Sequence, residues 1–332
     1  MLKNFLITGG SGFIGSHFVE LLLKKNKKVI NIDIKENFFD FNNKNYSFKK
    51  GNICDFKFLN KHINKNIDCI VNFAAQTHVD RSIDFPNDFV QNNIIGTFNL
   101  LEVIRKKKLN TIFVQISTDE VFGSLTKNQK SFNENSLIKP NSPYSASKAS
   151  ADSLVRSYNK TFDIKTIITH STNNFGERQH PEKLIPLAAM QLLQGKPIPV
   201  YGNGKNIRDW IYVKDNCECI FRLIKKSKFG ESYMVGSKNE IANFNLVKKI
   251  IKIFKKYSNI KFLNKGYHFV RDRKGHDFRY SINNKKVKQI TKIKFSNFDQ
   301  KLEQTVRHYI GHFKFYKKEL NKKWLKEKIK NF

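Results

Sequence analysis

The feature that most limits how this chain can fold is a glycine-punctuated turn, Gly10-Ser11-Gly12-Phe13-Ile14-Gly15, set between an apolar run and an apolar helix pattern. Residues 3–8, Lys-Asn-Phe-Leu-Ile-Thr, are short and apolar enough for a buried strand; residues 16–25 carry Phe18, Val19, Leu21, Leu22 and Leu23, which suits a packed helix. In that order, strand, turn and helix offer unpaired helix N–H groups to an anion, and glycine lets the backbone approach a pyrophosphate closely. Glycine turns also join strands to helices for structural reasons alone, so the flanking pattern decides. The next apolar run, Lys28-Val29-Ile30-Asn31-Ile32-Asp33, ends in a carboxylate. It stands about 20 residues past the turn, where folds of this kind hydrogen-bond ribose hydroxyls. Asp33 favours NAD over NADP, whose 2′-phosphate calls for an arginine, although Lys35 stands two residues on.

The alternation continues. Strand patterns at 68–73, 111–117 and 165–169 are separated by helix patterns at 92–108 and, beginning beside a proline, at 143–158. This predicts an α/β fold: a doubly wound, parallel, Rossmann-type sheet with a smaller mixed α/β substrate lobe. The dinucleotide-binding domain is expected over 1–172 with 204–230. A substrate lobe with a C-terminal helix is expected over 173–203 with 231–332. In such sheets ligands lie beyond the carboxyl ends of the strands, which places Gly10, Ala75, Thr118 and Asn173 there. A chain of 332 residues exceeds what one core usually holds, in keeping with two lobes.

No apolar run approaches a membrane span, and the first strand begins too early for a signal peptide, so a cytoplasmic protein with no membrane partner is expected. Cys54, Cys69, Cys217 and Cys219 lack metal-ligand spacing and are read as reduced, with no metal site. The formal charge of +33 invites a nucleic-acid reading, but lysine is spread along the whole chain, as in Lys24-Lys25-Asn26-Lys27-Lys28 and Lys106-Lys107-Lys108. No nucleic-acid partner is expected. The basic stretch 317–326 reads as a solvated terminal helix, and the net field favours the approach of anionic nucleotides.

Tyr144 and Lys148 stand four apart, on one face of a helix. An ammonium beside a phenol stabilises the phenolate, which predicts a lowered pKa suited to a general base. Thr118-Asp119-Glu120 follows a strand and, taken alone, reads as a cap for a helix or turn.

Together these residues resemble the extended short-chain dehydrogenase/reductase superfamily over nearly the whole chain, and within it the nucleotide-sugar 4,6-dehydratases, closest to the branch that acts on dTDP-glucose. Further stretches carry the resemblance: Ala74-Ala75-Gln76-Thr77-His78-Val79-Asp80-Arg81-Ser82-Ile83, Asn173-Asn174-Phe175-Gly176, Pro181-Glu182-Lys183-Leu184-Ile185-Pro186 and Asp272-Arg273-Lys274-Gly275-His276-Asp277. It implies a NAD-dependent hydro-lyase that oxidises C4 of the sugar, eliminates water across C5 and C6, and reduces C6 on a NAD that stays bound. Tyr144 would be the C4 base, supported by Lys148; Glu120 the C5 base; Asp119 the acid at O6; and Thr118 a partner of the C4 oxygen. The implied cofactor site is Gly9, Gly12, Phe13, Ile14, Gly15, Asp33, Asn52, Ile53, Phe73, Ala74, Ala75, Thr77, Asn92, Tyr144, Lys148 and Asn174. The implied substrate contacts are Thr77, Thr118, Asn173, Lys183, Leu184, Pro199, Tyr201, Arg208, Asn239, Arg273 and His276. A homodimer through helices 92–108 and 146–158 is implied as well.

UDP-glucose and UDP-N-acetylglucosamine are the competing substrates, and a 4-epimerase or decarboxylase the competing chemistry. A noncatalytic NAD-sensing or nucleic-acid-binding protein is the reading from a different class. Against the family pattern, Asn52 replaces an aspartate near the adenine, Phe122 and Phe175 replace tyrosines, Glu177 and Lys274 replace prolines, and His170 replaces an arginine or asparagine. These departures spare the catalytic set and fall on base and sugar specificity.

Overall fold

A computed structural model describes residues 2–36, 41–263 and 265–320. Its strands, in chain order, are β1 (Asn4–Thr8), β2 (Lys28–Asp33), β3 (Tyr46–Lys50), β4 (Cys69–Asn72), β5 (Ile112–Thr118), β6 (Thr166–Ser171), β7 (Asn173–Phe175), β8 (Ile198–Tyr201), β9 (Ile207–Tyr212), β10 (Glu231–Val235), β11 (Glu240–Ala242) and β12 (Tyr267–Val270). Seven of them form one parallel sheet in the order β10-β6-β5-β4-β1-β2-β3. Strand order reverses between β1 and β4, and the crevice at such a switch point is where doubly wound sheets bind ligands.

Side-chain alternation explains the two faces of this sheet. Phe5 and Ile7 of β1 enter one core with Phe18 and Leu22 of the helix Phe13–Lys24 and with Ile220 and Leu223 of the helix Val213–Lys226. Leu6 points the other way, with Ile70 and Phe113, against Leu100 and Ile104 of the helix Gly96–Lys106 and Val155 of the helix Pro143–Phe162. A buried polar chain ties three strands at the switch point. Thr8 Oγ1 donates to Asn72 Oδ1 (2.6 Å), and Asn72 Nδ2 donates to Gln115 Oε1 (2.9 Å) and Thr97 Oγ1 (3.2 Å).

The smaller lobe holds the three-stranded sheet β11-β9-β7 and the two-stranded sheet β12-β8. Three corrections follow. β10 completes the large sheet by pairing with β6, so 231–235 belongs with the dinucleotide half and not beyond a boundary at 230. The expected return to the core at 208–213 is β9, which is buried but pairs with β7 and β11 instead of the large sheet. The helix expected over 92–108 is in fact a π-helical turn, Val90–Ile95, running into Gly96–Lys106. The C-terminal helix is described over Phe313–Leu320; the rest of the expected helix to 326 lies outside the described residues. Among the described residues no helix is long and apolar enough to cross a membrane.

The glycine turn is set by close backbone approach. A Cβ at Gly15 would meet Gly9 O at 2.2 Å and Gly10 Cα at 2.9 Å, and backbone atoms cannot swing aside. Gly15→Ala is therefore expected to destabilise the fold by about 1–3 kcal/mol or more, read as a lower midpoint in chemical denaturation.

Candidate active site

A cleft of about 880 Å³ runs along the carboxyl ends of β1, β2, β4, β5 and β6. That size suits a dinucleotide with part of a second ligand. Every residue expected at the cofactor site lines it: Gly9, Gly12, Phe13, Ile14, Gly15, Asp33, Asn52, Ile53, Phe73, Ala74, Ala75, Thr77, Asn92, Tyr144, Lys148 and Asn174. Thr118, Asp119, Glu120, Asn173 and Lys183 line the same cleft.

The pyrophosphate end is built from backbone. Gly9 sits at φ +68°, and a Cβ on it would lie 2.5 Å from Ala74 N. Gly12 caps the helix Phe13–Lys24 with no side-chain hydrogen bond, which leaves first-turn N–H groups for an anion. At the end of β2, Asp33 accepts from Ser11 N (3.0 Å) and Lys35 N (3.2 Å). Burial raises its pKa against these two backbone bonds. Oxygen lone pairs remain on this carboxylate for hydroxyl donors. A bare helix N-terminus, a glycine cradle and an acidic residue at the next strand end together fit NAD.

The chemical end is built from β5 and one helix. Thr118 Oγ1 accepts from Glu120 N (3.3 Å) and caps the 3-10 turn Asp119–Phe122, so the cap read from sequence and the carboxyl pair coexist. The turn sets both carboxyls at the strand's end. Ser142 caps the helix Pro143–Phe162 through a reciprocal capping box with Ser145, and Pro143 fills a first-turn position. Tyr144 and Lys148 thus enter the cleft from the first two turns. The π-helical turn adds Asn93, whose Nδ2 donates to Gln76 O (3.0 Å) and Ser147 Oγ (2.8 Å), pinning the loop after β4 to the tyrosine's helix.

The electrostatics separate these groups. Asp119 is 1% exposed; burial first, then the neighbouring Glu120 and Asp209 charges, hold its pKa well above the carboxylate range. Its Oδ2 is buried with no hydrogen-bond partner among the described residues. Burial also raises Glu120, but the charges of Arg208, Lys183 and Arg273 face it and oppose the rise. One carboxyl is driven toward the acid form while its neighbour is supported as a base.

The phenol departs from expectation. Lys148 Nζ donates to Ile116 O (2.6 Å), and the Tyr144 pKa is pushed well above 10 by burial and by the Glu120 charge, with Thr118 hydrogen bonding in opposition. The expected lowering by Lys148 does not occur because the ammonium is spent on a strand carbonyl and desolvation dominates.

The other expected substrate residues lie outside this cleft's lining. Arg273 pairs with Asp80 and stacks over Tyr201 at 5.2 Å, and Tyr201 Oη donates to Asp80 Oδ2 (3.1 Å). His276 bonds Asp272 through Nδ1 (2.6 Å) and meets Tyr201 edge-on. Arg208 lies 4.2 Å from the Tyr280 ring and donates to Asp277 O (2.9 Å) and Ile207 O (2.8 Å). Asn239 is committed to the turn after β10, with its N–H on Asp209 (2.7 Å) and Nδ2 on Ser237 Oγ (2.7 Å). Leu184 starts the helix Leu184–Leu192, and the buried Pro199 pairs with His268 in the small sheet. Arg178, Gln179 and His180, which the sequence places near the substrate lobe without a role, line the cleft, and so do Phe315 and Tyr316, which sequence reasoning missed. Glu177, noted as a departure from the family pattern, was the one nearby signal; no motif marks 315–316.

Comparison with known proteins agrees with this geometry. A family model described as GDP-mannose 4,6 dehydratase matches residues 6–305. A dTDP-glucose 4,6-dehydratase of Haemophilus influenzae is 40% identical, over 93% of this chain and 98% of the relative. The crystal structure of DesIV, a dTDP-glucose 4,6-dehydratase from Streptomyces venezuelae with NAD and TYD bound, superposes with a TM-score of 0.89 at 35% identity, covering 96% of this chain and 100% of that one. The dTDP-glucose 4,6-dehydratase of Bacillus anthracis in complex with NAD gives 0.85 at 39% identity, covering 96% and 99%.

Burial pushes Lys148 down to about 8 from 10.5, with Asp152 resisting. A base whose folded pKa is lowered costs stability while it is charged in both states, below about 8, and the cost fades as pH climbs toward the unfolded value. In ligand-free protein the stability of the wild type relative to Lys148→Met is therefore expected to rise from about pH 8 to pH 10, by up to about 3 kcal/mol, as read from denaturant curves across that range.

Proposed function

The chain belongs to the GDP-mannose 4,6-dehydratase family, and on that footing we propose that it converts dTDP-glucose to dTDP-4-keto-6-deoxyglucose as a hydro-lyase with tightly held NAD. The observation that carries this reading is the pair Asp119 and Glu120, adjacent in sequence, opposed in electrostatic setting and sharing a cleft with Tyr144. An epimerase on this scaffold has no use for the second carboxyl.

Gly9, Gly12 and the first-turn amides of the helix Phe13–Lys24 would hold the pyrophosphate of NAD, and Asp33 its ribose. Bound there, NAD would supply the hydride chemistry, acceptance at C4 and return at C6. Thr118 Oγ1 orients the C4 hydroxyl, and Tyr144 Oη takes its proton. The phenol pKa, raised by burial and by the Glu120 charge, makes that step depend on the positive charge that bound NAD would bring to the cleft. Once C4 is a ketone, the C5 hydrogen is acidic. Glu120 removes it as a proton; the C5–H electrons form the C5–C6 double bond, the C6–O bond breaks, and Asp119 protonates the departing oxygen, which leaves as water. Glu120 then returns a proton to C5. Lys183, Arg208 and Arg273 keep Glu120 able to ionise and bring positive charge to the side where a diphosphate binds.

The division into a dinucleotide half and a nucleotide-sugar lobe supports this reading, with the cleft at the sheet's switch point. A cytoplasmic setting agrees with four cysteines that are all free thiols. A homodimer agrees with an exposed apolar strip on the helices expected to pair: Val90, Ile95, Phe98 and Phe162 are each more than a third exposed. Rings continue along it, Phe98 against Tyr158 at 6.4 Å and Tyr158 against Phe162 at 5.1 Å. Phe98→Glu is expected to yield monomers, read by sedimentation velocity against a wild-type dimer.

The central test is incubation with dTDP-glucose in deuterated water without added cofactor. The wild type should release one water per sugar and leave solvent deuterium at C5, while UDP-glucose and UDP-N-acetylglucosamine turn over poorly. Glu120→Gln should still oxidise C4 yet lose elimination and C5 exchange by about 100-fold or more, and Tyr144→Phe should block even the oxidation. A fully active Glu120→Gln would remove Glu120 as the C5 base.

A further inference from the structure

Part of the cleft's wall is not supplied by the large sheet. It comes from the loop after β7 and from the C-terminal helix Phe313–Leu320: Arg178, Phe315 and Tyr316 line the same cleft as Gly12, Phe13 and Ile14. We propose that Arg178, Phe315 and Tyr316 form a retaining wall for the dinucleotide, with the Arg178 guanidinium on its pyrophosphate and the two aromatic rings shutting water out of that end of the cleft. This rests on the reading of the cleft as a NAD site.

The wall is held from several sides. Arg178 adopts φ +70°, a left-handed backbone that a non-glycine residue keeps only when its surroundings impose it. Its Nη2 pairs with Glu20 Oε2 (2.9 Å), which anchors the guanidinium to the helix that begins at the glycine turn. The loop is fastened by the C-terminal helices. Tyr309 Oη donates to Gly176 O (3.2 Å) and Gln179 O (2.8 Å), and Gln304 Nε2 donates to Glu177 Oε1 (2.6 Å). Tyr212 Oη also donates to Glu177, and His17 bonds Glu177 O (2.9 Å), joining the loop to β9 and to the first helix. Tyr316 is 4% exposed, bonds His308 through its hydroxyl (3.0 Å), packs on Tyr309 at 4.8 Å and carries Phe315 at 4.7 Å.

A planar, permanently charged fork suits a pyrophosphate, and at a site closed to water each such bond counts for more. The first helix holds the anion with backbone N–H groups alone. A side-chain cation reaching over from the other lobe explains how a dinucleotide is kept through repeated turnovers. It also gives a purpose to the Glu177-Arg178 pair, which stands where the family pattern has proline in its first position.

The test measures NAD itself. Wild type, Arg178→Ala, Arg178→Lys, Phe315→Ala and Tyr316→Leu are purified without added nucleotide; bound NAD per chain is quantified after denaturation, and release is followed by dilution into a NAD-scavenging enzyme. Arg178→Ala and Phe315→Ala should release NAD about tenfold faster or more, with Arg178→Lys in between, and melting in saturating NAD should stay near that of the wild type. Tyr316→Leu should behave likewise, and if its core position unfolds it, Phe315→Ala carries the aromatic arm. Unchanged release in both Arg178→Ala and Phe315→Ala would overturn the proposal. A wild type that carries no NAD and binds none on addition would instead overturn the reading of the cleft on which it rests.

Discussion

Desolvation at the end of β5 governs this molecule. Asp119, Glu120, Tyr144 and Lys148 are brought to one wall of a cleft where water is scarce, and burial is the largest influence on the proton affinity of all four. Burying ionisable groups costs stability unless partners compensate. The compensation is visible and uneven. Glu120 has three cations, Lys148 has the Ile116 carbonyl and the Asp152 charge, Asp119 has the Arg208 charge and the Thr118 hydroxyl at 3.4 Å, and Tyr144 has only that hydroxyl.

This unevenness is arranged by the scaffold. Asp152 lies one helical turn past Lys148 and accepts from Ser117 Oγ (2.6 Å), and its same oxygen meets His170 Nε2 (3.1 Å), so β5, β6 and the tyrosine's helix are locked together behind the reacting face. Facing it, Arg208 cannot swing freely because backbone carbonyls and the Tyr280 ring hold its guanidinium. Rigid charges placed in advance need no reorganisation as charge moves during a reaction.

What was legible in the sequence is what local chemistry dictates. The glycine turn, Asp33, the carboxyl pair and the Tyr144 and Lys148 spacing stand at strand ends and helix starts, where short motifs and backbone geometry coincide. β3 was missed because Tyr46–Lys50 is a mostly exposed edge strand with little apolar contrast. β10 was missed because its place is set by pairing with β6, 60 residues and more away in the chain. The phenol's direction of shift was misjudged for a related reason: spacing shows that two side chains share a face, not which carbonyl the lysine reaches. Phe315 and Tyr316 enter the cleft through packing on Tyr309 and His308, and no local pattern encodes that.

The excess of positive charge fits the same picture once the acids are followed. With 61 basic and 28 acidic residues, the chain can afford few idle carboxylates, and many of those described are committed. Glu20 holds Arg178, Asp80 holds Arg273, Glu240 takes Arg279 and Ser281, Glu102 takes Arg105 and Tyr158, and Glu177 bridges β9 to the helix Phe298–Gly311. The lysines, by contrast, lie largely on solvated helix faces, as at Lys248, Lys249, Lys252, Lys255 and Lys256 of the helix Asn243–Tyr257. A basic exterior around carboxyls held in place raises the local concentration of anionic ligands, an effect that salt screens, and leaves the proton chemistry of the cleft to its buried neighbours.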